Sequence, residues 1–157
     1  MYTIEREISF SYGHRLVGYP GKCARLHGHN GVVTIELAAE RLDAQGMVLD
    51  FTEIKRLASG WIEATLDHRL ILAEDDPAAA LLRDAGEEIL IVPFPPTAEN
   101  LSRYIFEQLA ARELPLASVT LRETPGCAAT YRPARGDRDE AGEAGRPGES
   151  RRGRPGA

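Results

Sequence analysis

Two stretches of strict alternation constrain this chain more than any other feature. Tyr2, Ile4, Ile8, Phe10 and Tyr12 alternate with Thr3, Glu5, Glu7, Ser9 and Ser11, and Arg6 is the one exception on the apolar face. Farther along, Val33, Ile35, Leu37 and Ala39 alternate with Thr34, Glu36 and Glu40. A period of two sends successive side chains to opposite faces, so each stretch reads as a half-buried strand. The segment between them carries Gly18, Pro20, Gly21 and Gly28 and reads as a long loop.

The rest of the body follows in order. Asp43-Ala44-Gln45-Gly46 has turn chemistry. Asp50 reads as an N-cap, with Glu53 three residues on. Ile54, Leu57, Ala58, Trp61, Ile62 and Thr65 then recur at helical spacing, with Lys55, Arg56, Ser59 and Glu63 on the other side. Ile89–Val92 reads as a short strand, broken by Pro93-Phe94-Pro95-Pro96. Thr97 caps a second helix carrying Leu101, Tyr104, Ile105 and Leu109. Val119, Leu121 and Glu123 share one face of another strand, and 128–132 reads as the last. Strands segregated from helices argue for an α+β fold with an antiparallel sheet. A sheet this small has open edges, which favour association with further copies.

The chain has 157 residues, one domain's worth, of which 43% are hydrophobic. Residues 133–157 contain no Val, Ile, Leu, Met, Phe, Tyr or Trp. Such a segment cannot offset the entropy of ordering itself, so the reading is a domain over 1–132 and a disordered, charged Gly/Pro/Arg-rich tail over 133–157. The arginines there (Arg151, Arg152, Arg154) read as solvated charge. Deleting the tail is expected to leave activity intact, which a truncation assayed beside the full chain checks. The net charge of −5 disfavours nucleic acid as a partner. No apolar run spans a membrane, and the first residues lack the apolar core of a secretory signal. Two cysteines make no disulfide framework, so a cytoplasmic setting is expected.

Chemistry concentrates in a few residues. The four histidines are His14, His27, His29 and His68. His27 and His29 are two apart, so in an extended segment they point the same way. If the first two strands pair as a hairpin, His14 joins them. Three neutral imidazoles with an open fourth position make a catalytic zinc pattern, whereas an isolated His-x-His is more often two solvated loop residues. Cys23, beside Lys22 and Arg25, is either a reactive thiol or an inert one. Asp67-His68 is either an oriented proton-holding pair or a helix-end feature. Glu123 has the apolar parity of its strand. It is either a rim residue or a carboxylate placed to accept two parallel N–H bonds from a ligand. Cys127 follows a Pro-Gly turn and receives no role.

As a set, these residues resemble the 6-pyruvoyl-tetrahydropterin synthase superfamily, and its 6-carboxy-tetrahydropterin synthase branch most. The resemblance rests on Phe10-Ser11-Tyr12-Gly13-His14-Arg15-Leu16, on Cys23-Ala24-Arg25-Leu26-His27-Gly28-His29-Asn30, and on Val48-Leu49-Asp50-Phe51. It continues through Leu66-Asp67-His68, Pro96-Thr97-Ala98-Glu99-Asn100-Leu101 and Arg122-Glu123-Thr124, covering about residues 2–132. It implies a tunnelling fold: a four-stranded antiparallel sheet with two helices on one face, assembled as a homohexamer of two trimers with active sites between subunits. It further implies Zn2+ on His14, His27 and His29, Cys23 as catalytic base, and Asp67 and His68 as a proton relay. Glu123 would anchor the pterin, with Thr97 nearby. The implied reaction converts 7,8-dihydroneopterin triphosphate to 6-carboxy-5,6,7,8-tetrahydropterin, on the route to queuosine and deazapurines. The alternatives are the pyruvoyl reaction on the same substrate and a non-catalytic pterin-binding member of the fold. The three residues between Cys23 and His27 resemble the carboxy branch. Two departures stand out: Tyr12-Gly13 where the family commonly has two alanines, and Arg69-Leu70-Ile71-Leu72-Ala73 after Asp67-His68. Lys22, Arg25 and Arg69 are the candidates to hold a triphosphate.

Overall fold

The computed structural model describes residues 1–134, so the tail expected over 133–157 lies outside the described residues from position 135 onward. The two alternating stretches form a long antiparallel hairpin of β1 (Tyr2–His14) and β2 (His27–Ala39). Both strands run farther than the alternation of bulky residues indicated. His27 and His29 therefore belong to β2 itself, because Gly28 sits directly opposite Gly13 and keeps the ladder going past the last apolar position. That site needs glycine, since a Cβ on Gly28 would come within 2.9 Å of the Tyr12 carbonyl oxygen.

β5 (Leu116–Thr124) pairs antiparallel with β2, and β6 (Cys127–Tyr131) with β5. These four strands are the antiparallel sheet that was expected. The complete sheet is larger: six strands, in the order β4-β3-β1-β2-β5-β6. β3 (Arg69–Ala73) lies parallel to the end of β1, and β4 (Ile89–Val92) lies parallel to β3. The four-stranded antiparallel expectation is thus corrected to a six-stranded mixed sheet. β3 buries three consecutive residues, Ile71, Leu72 and Ala73, so it carries no alternation. Leu70-Ile71-Leu72 reads as a plain apolar run, which periodicity alone cannot assign.

Between β2 and β3 the chain is helical without a break from Phe51 to Thr65. It runs through α1 (Phe51–Ile54), a π-helical segment (Lys55–Ser59) and α2 (Gly60–Thr65). Asp50 caps it, accepting from the Thr52 amide at 2.7 Å. Its buried positions are Ile54, Ala58, Ile62 and, just past its end, Leu66. Four-residue spacing drifts by about 40° per step on a 3.6-residue helix, and the wider π turn cancels much of that drift. α3 (Ala79–Asp84) is a short, unburied crossover between β3 and β4. α4 (Ala98–Ala110) buries Leu101, Ile105 and Leu109. Its N-cap is Thr97, whose hydroxyl accepts from the Asn100 amide at 3.3 Å. The two main helices share one core with Phe10, Tyr12, Val33, Ile35, Val119 and Leu121, so both cover the same sheet face, as expected. None of the helices described is long and apolar enough to cross a membrane.

Arg15, immediately after β1, grips Asp76, just past β3. Its Nε donates to one carboxylate oxygen at 2.7 Å and its Nη2 to the other. The Asp76 side chain is fully buried and Arg15 is 21% exposed. The Arg15 hydrogen bonds hold the Asp76 carboxyl below the usual carboxylate range. This stabilisation is therefore present above about pH 4 and lost as the pH falls through the depressed value. Asp76→Ala is expected to cost about 2 kcal/mol at neutral pH, less than a fully buried broken pair because Arg15 reaches solvent. Urea melts at pH 7 and pH 3 check this, and the gap between variant and parent should narrow in acid.

Candidate functional site

The hairpin register builds the centre of the site. His14 is paired with His27, and Tyr12 with His29, so three imidazoles leave the sheet on one face at adjacent positions. Their ring centroids are 4.5 Å (His14–His27), 5.1 Å (His14–His29) and 5.1 Å (His27–His29) apart. One ligand nitrogen from each lies within 4.8 Å of the other two. The loop-histidine alternative does not describe this arrangement, because His14 is 3% exposed and the other two are half-buried.

Backbone carbonyls set the tautomers. His14 Nδ1 donates to Pro96 O at 2.7 Å, and His27 Nδ1 donates to Arg25 O at 2.7 Å. Each ring then keeps its Nε2 lone pair free, which is the arrangement metal-binding histidines adopt. His14 Nε2 is buried and has no hydrogen-bond partner among the described residues. Burial lowers the His14 pKa. The Pro96 carbonyl and Glu123 pull it back up, and the two neighbouring rings lower it further. A neutral imidazole with an unpartnered buried nitrogen, facing two others, fits a divalent cation of zinc type.

A cavity of about 450 Å³ opens beside this trio. Cys23, Thr97, Glu99 and Glu123 line it together with the three histidines. Cys23 sits in a short 3-10 turn (Lys22–Ala24), and its carbonyl accepts from the Leu16 amide at 2.8 Å, which folds the loop back toward His14. Thr97 reaches the cavity from the start of α4, although its hydroxyl is already engaged as the N-cap. Glu123 lies where the β5–β6 register shifts, between Arg122 and Thr124. A bulge of this kind commonly re-aims a side chain next to a functional site. Glu123 Oε1 accepts from the Tyr12 hydroxyl at 2.9 Å and stands 3.7 Å from His14 Nε2. Burial, reinforced by the Glu123 charge and hydrogen bond, pushes the Tyr12 phenol up, so it stays a donor. Cys127 also lines this cavity, and no sequence signal beyond its turn position pointed there.

Asp67 and His68 do make a pair: His68 Nδ1 lies 2.8 Å from Asp67 Oδ2. The other carboxylate oxygen accepts from the Ser11 amide at 2.8 Å, and the His68 amide donates to the Ser11 carbonyl at 2.6 Å. The Ser11 amide, with His68, holds the Asp67 carboxyl below its ordinary value. His68 has φ of 58°, a left-handed conformation that costs a non-glycine residue on the order of 1 kcal/mol. Neither residue of this pair lines the cavity that holds Cys23. His68 borders a second, more open cavity with Ser11, Gly13, Gly28 and Asn30, and Tyr12, His27 and His29 line that cavity too. Arg69 is engaged with Glu88 on that side, while Lys22 and Arg25 flank Cys23.

Comparison with known proteins agrees with this geometry. The sequence model of the family described as 6-pyruvoyl tetrahydropterin synthase matches residues 3–134. A 6-carboxy-5,6,7,8-tetrahydropterin synthase of Rickettsia bellii is 37% identical over 134 residues, spanning 81% of this chain and 97% of that protein. An uncharacterized protein of Wolinella succinogenes superposes with a TM-score of 0.73 at 26% identity, covering 83% of this chain and 97% of its own. The 6-pyruvoyl tetrahydropterin synthase of Caenorhabditis elegans superposes with a TM-score of 0.64 at 30% identity, covering 85% and 96%. With the hairpin that carries three imidazoles, the matched sequence and the shared fold all in agreement, the chain belongs to the 6-pyruvoyl tetrahydropterin synthase family.

Proposed function

We propose that this protein is a zinc-dependent lyase that converts 7,8-dihydroneopterin triphosphate to 6-carboxy-5,6,7,8-tetrahydropterin. The observation that carries the reading is the buried, unpartnered Nε2 of His14 facing His27 and His29. A zinc ion on these three nitrogens would act as a Lewis acid toward side-chain hydroxyls of the substrate and make the adjacent C–H and O–H bonds more acidic. Cys23, on the wall of the same cavity, is the base that takes the proton, in its thiolate form. Glu123 accepts N–H bonds from the pterin edge, a task suited to two carboxylate oxygens. Thr97 lies on the same wall and closes the pterin side.

Asp67 orients the His68 ring, so the pair can return a proton to the side chain. Because His68 lines a cavity that does not include Cys23, the pair serves a site on a neighbouring subunit. The exposed Leu26 and Phe51 and the open strand edges of the six-stranded sheet support an oligomer, for which a hexamer of two trimers is the family expectation. Lys22 and Arg25, close to Cys23 in sequence, and Arg69, which pairs with Glu88, are the candidates to meet the triphosphate. The setting is cytoplasmic and the product feeds queuosine and deazapurine synthesis.

Incubation with 7,8-dihydroneopterin triphosphate, with products identified by mass, tests the proposal. Release of acetaldehyde with 6-carboxy-tetrahydropterin is expected. A 6-pyruvoyl product without acetaldehyde would move the chain to the other branch, a reading the Caenorhabditis elegans likeness keeps in view. Pterin binding without consumption would mark a non-catalytic member.

A further inference from the structure

Tyr12 stands at one of the two positions where alanines are common in the family, yet it is not on the wall of the trio's cavity. It is buried, at 4% exposure. Its ring stacks on Phe10 (5.1 Å, 17°) and meets His14 edge-on (5.2 Å) and His29 at a tilt (5.8 Å). Space for the ring comes from Gly31, where a Cβ would lie 3.0 Å from Tyr12 Cε1. The hydroxyl so placed donates to Glu123 Oε1 at 2.9 Å.

That same oxygen is 3.7 Å from His14 Nε2. Ligand atoms bound tetrahedrally at about 2.0 Å to one ion lie roughly 3.3 Å from each other. Oε1 therefore sits near ligand spacing from one of the three nitrogens, but Glu123 is not part of the mutually close ligand group. A carboxylate beside three neutral imidazoles would be an effective fourth ligand if it were free to turn, and it would close the open position that catalysis requires. The Tyr12 hydroxyl is the one protein hydrogen bond to this carboxylate among the described residues, and it holds Oε1 where it is.

We propose that Tyr12 is a positioning residue that keeps the Glu123 carboxylate directed at the pterin and out of the fourth metal position. The inference rests on the metal and pterin roles proposed above. Tyr12→Phe keeps the ring and its stacking and removes only the hydroxyl. Gly31→Ala keeps the hydroxyl and displaces the ring, so the two variants reach the same hydrogen bond by different routes.

The experiment loads the parent protein, both variants and Tyr12→Phe/Glu123→Gln with Co2+ in place of zinc. Visible spectra, the rate of metal removal by a chelator, and KM and kcat are then measured for each. In Tyr12→Phe the spectrum should change, chelator removal should slow several-fold, and KM should rise roughly tenfold, the size expected for losing one hydrogen bond to a charged group. Gly31→Ala should shift in the same direction. In the double variant the spectrum and removal rate should revert, because no carboxylate is left to bind. A parent-like spectrum, removal rate and KM in Tyr12→Phe would overturn the inference while leaving the metal site standing. Failure of the parent to take up Co2+ would overturn the metal reading, and this inference with it.

Discussion

His27→Ala is expected to leave the protein folded but without metal and without turnover. His27 contributes one of the three histidine nitrogens that approach each other within 4.8 Å, and the Arg25 carbonyl already fixes its orientation. Two imidazoles on the remaining sites are a poor cage. Losing a mere outer partner of a ligand costs about 10–100-fold in affinity, so losing the ligand should cost more than about a hundredfold. Folding should survive, because His27 is half-buried at the first position of β2 and is absent from the hydrophobic core. Metal content after dialysis, read beside circular dichroism, checks both halves. Full metal occupancy in a folded His27→Ala protein would remove the three-histidine centre and every role assigned around it.

The sheet was legible where one face is wet and one is dry. β1, β2 and β5 show their period of two in the sequence, and that same pattern fixes the register that brings His14 opposite His27. The helix caps were legible for an equally local reason: Asp50 and Thr97 accept amides two and three residues downstream, so the signal and the structure lie within a few positions. β3 and α3 were not legible. Ile71 to Ala73 are buried on both sides and lack alternation, and α3 buries no residue, so no hydrophobic period marks it. The π segment likewise depends on aligning Ile54 with Leu66 across a tertiary contact surface.

In the site, the trio and Glu123 could be anticipated from strand parity. The partners that give them their chemical state could not. Pro96, whose carbonyl fixes the tautomer of His14, is 82 positions away. Tyr12 looked like an ordinary core residue, and its bond to Glu123 spans 111 positions. The pairing of Asp67 with His68 was undecided in the sequence, since neighbouring side chains often diverge. It is the left-handed backbone at His68, tied twice to Ser11, that closes them together.

Cys23→Ala and His68→Ala should each abolish turnover alone, and mixing the two dead proteins should restore it. Cys23 shares a cavity with the three histidines, while His68 borders a different cavity that does not include Cys23. If the relay of one subunit serves the cavity of its neighbour, as proposed above, the base and the relay that act on one substrate come from different chains. Cys23→Ala should keep its metal, because the three histidine nitrogens are untouched. In an equimolar mixture with random assembly, a working site needs its cysteine from one variant and its histidine from the other. That gives about one quarter of parental activity, one half multiplied by one half, for sites shared between identical subunits. Denaturing, mixing and refolding the two variants, then assaying against each one refolded alone, reads this directly. A mixture as inactive as its parts would place both groups in one subunit's site and overturn the proposed intersubunit arrangement. Activity in Cys23→Ala alone would take the base away from the thiol.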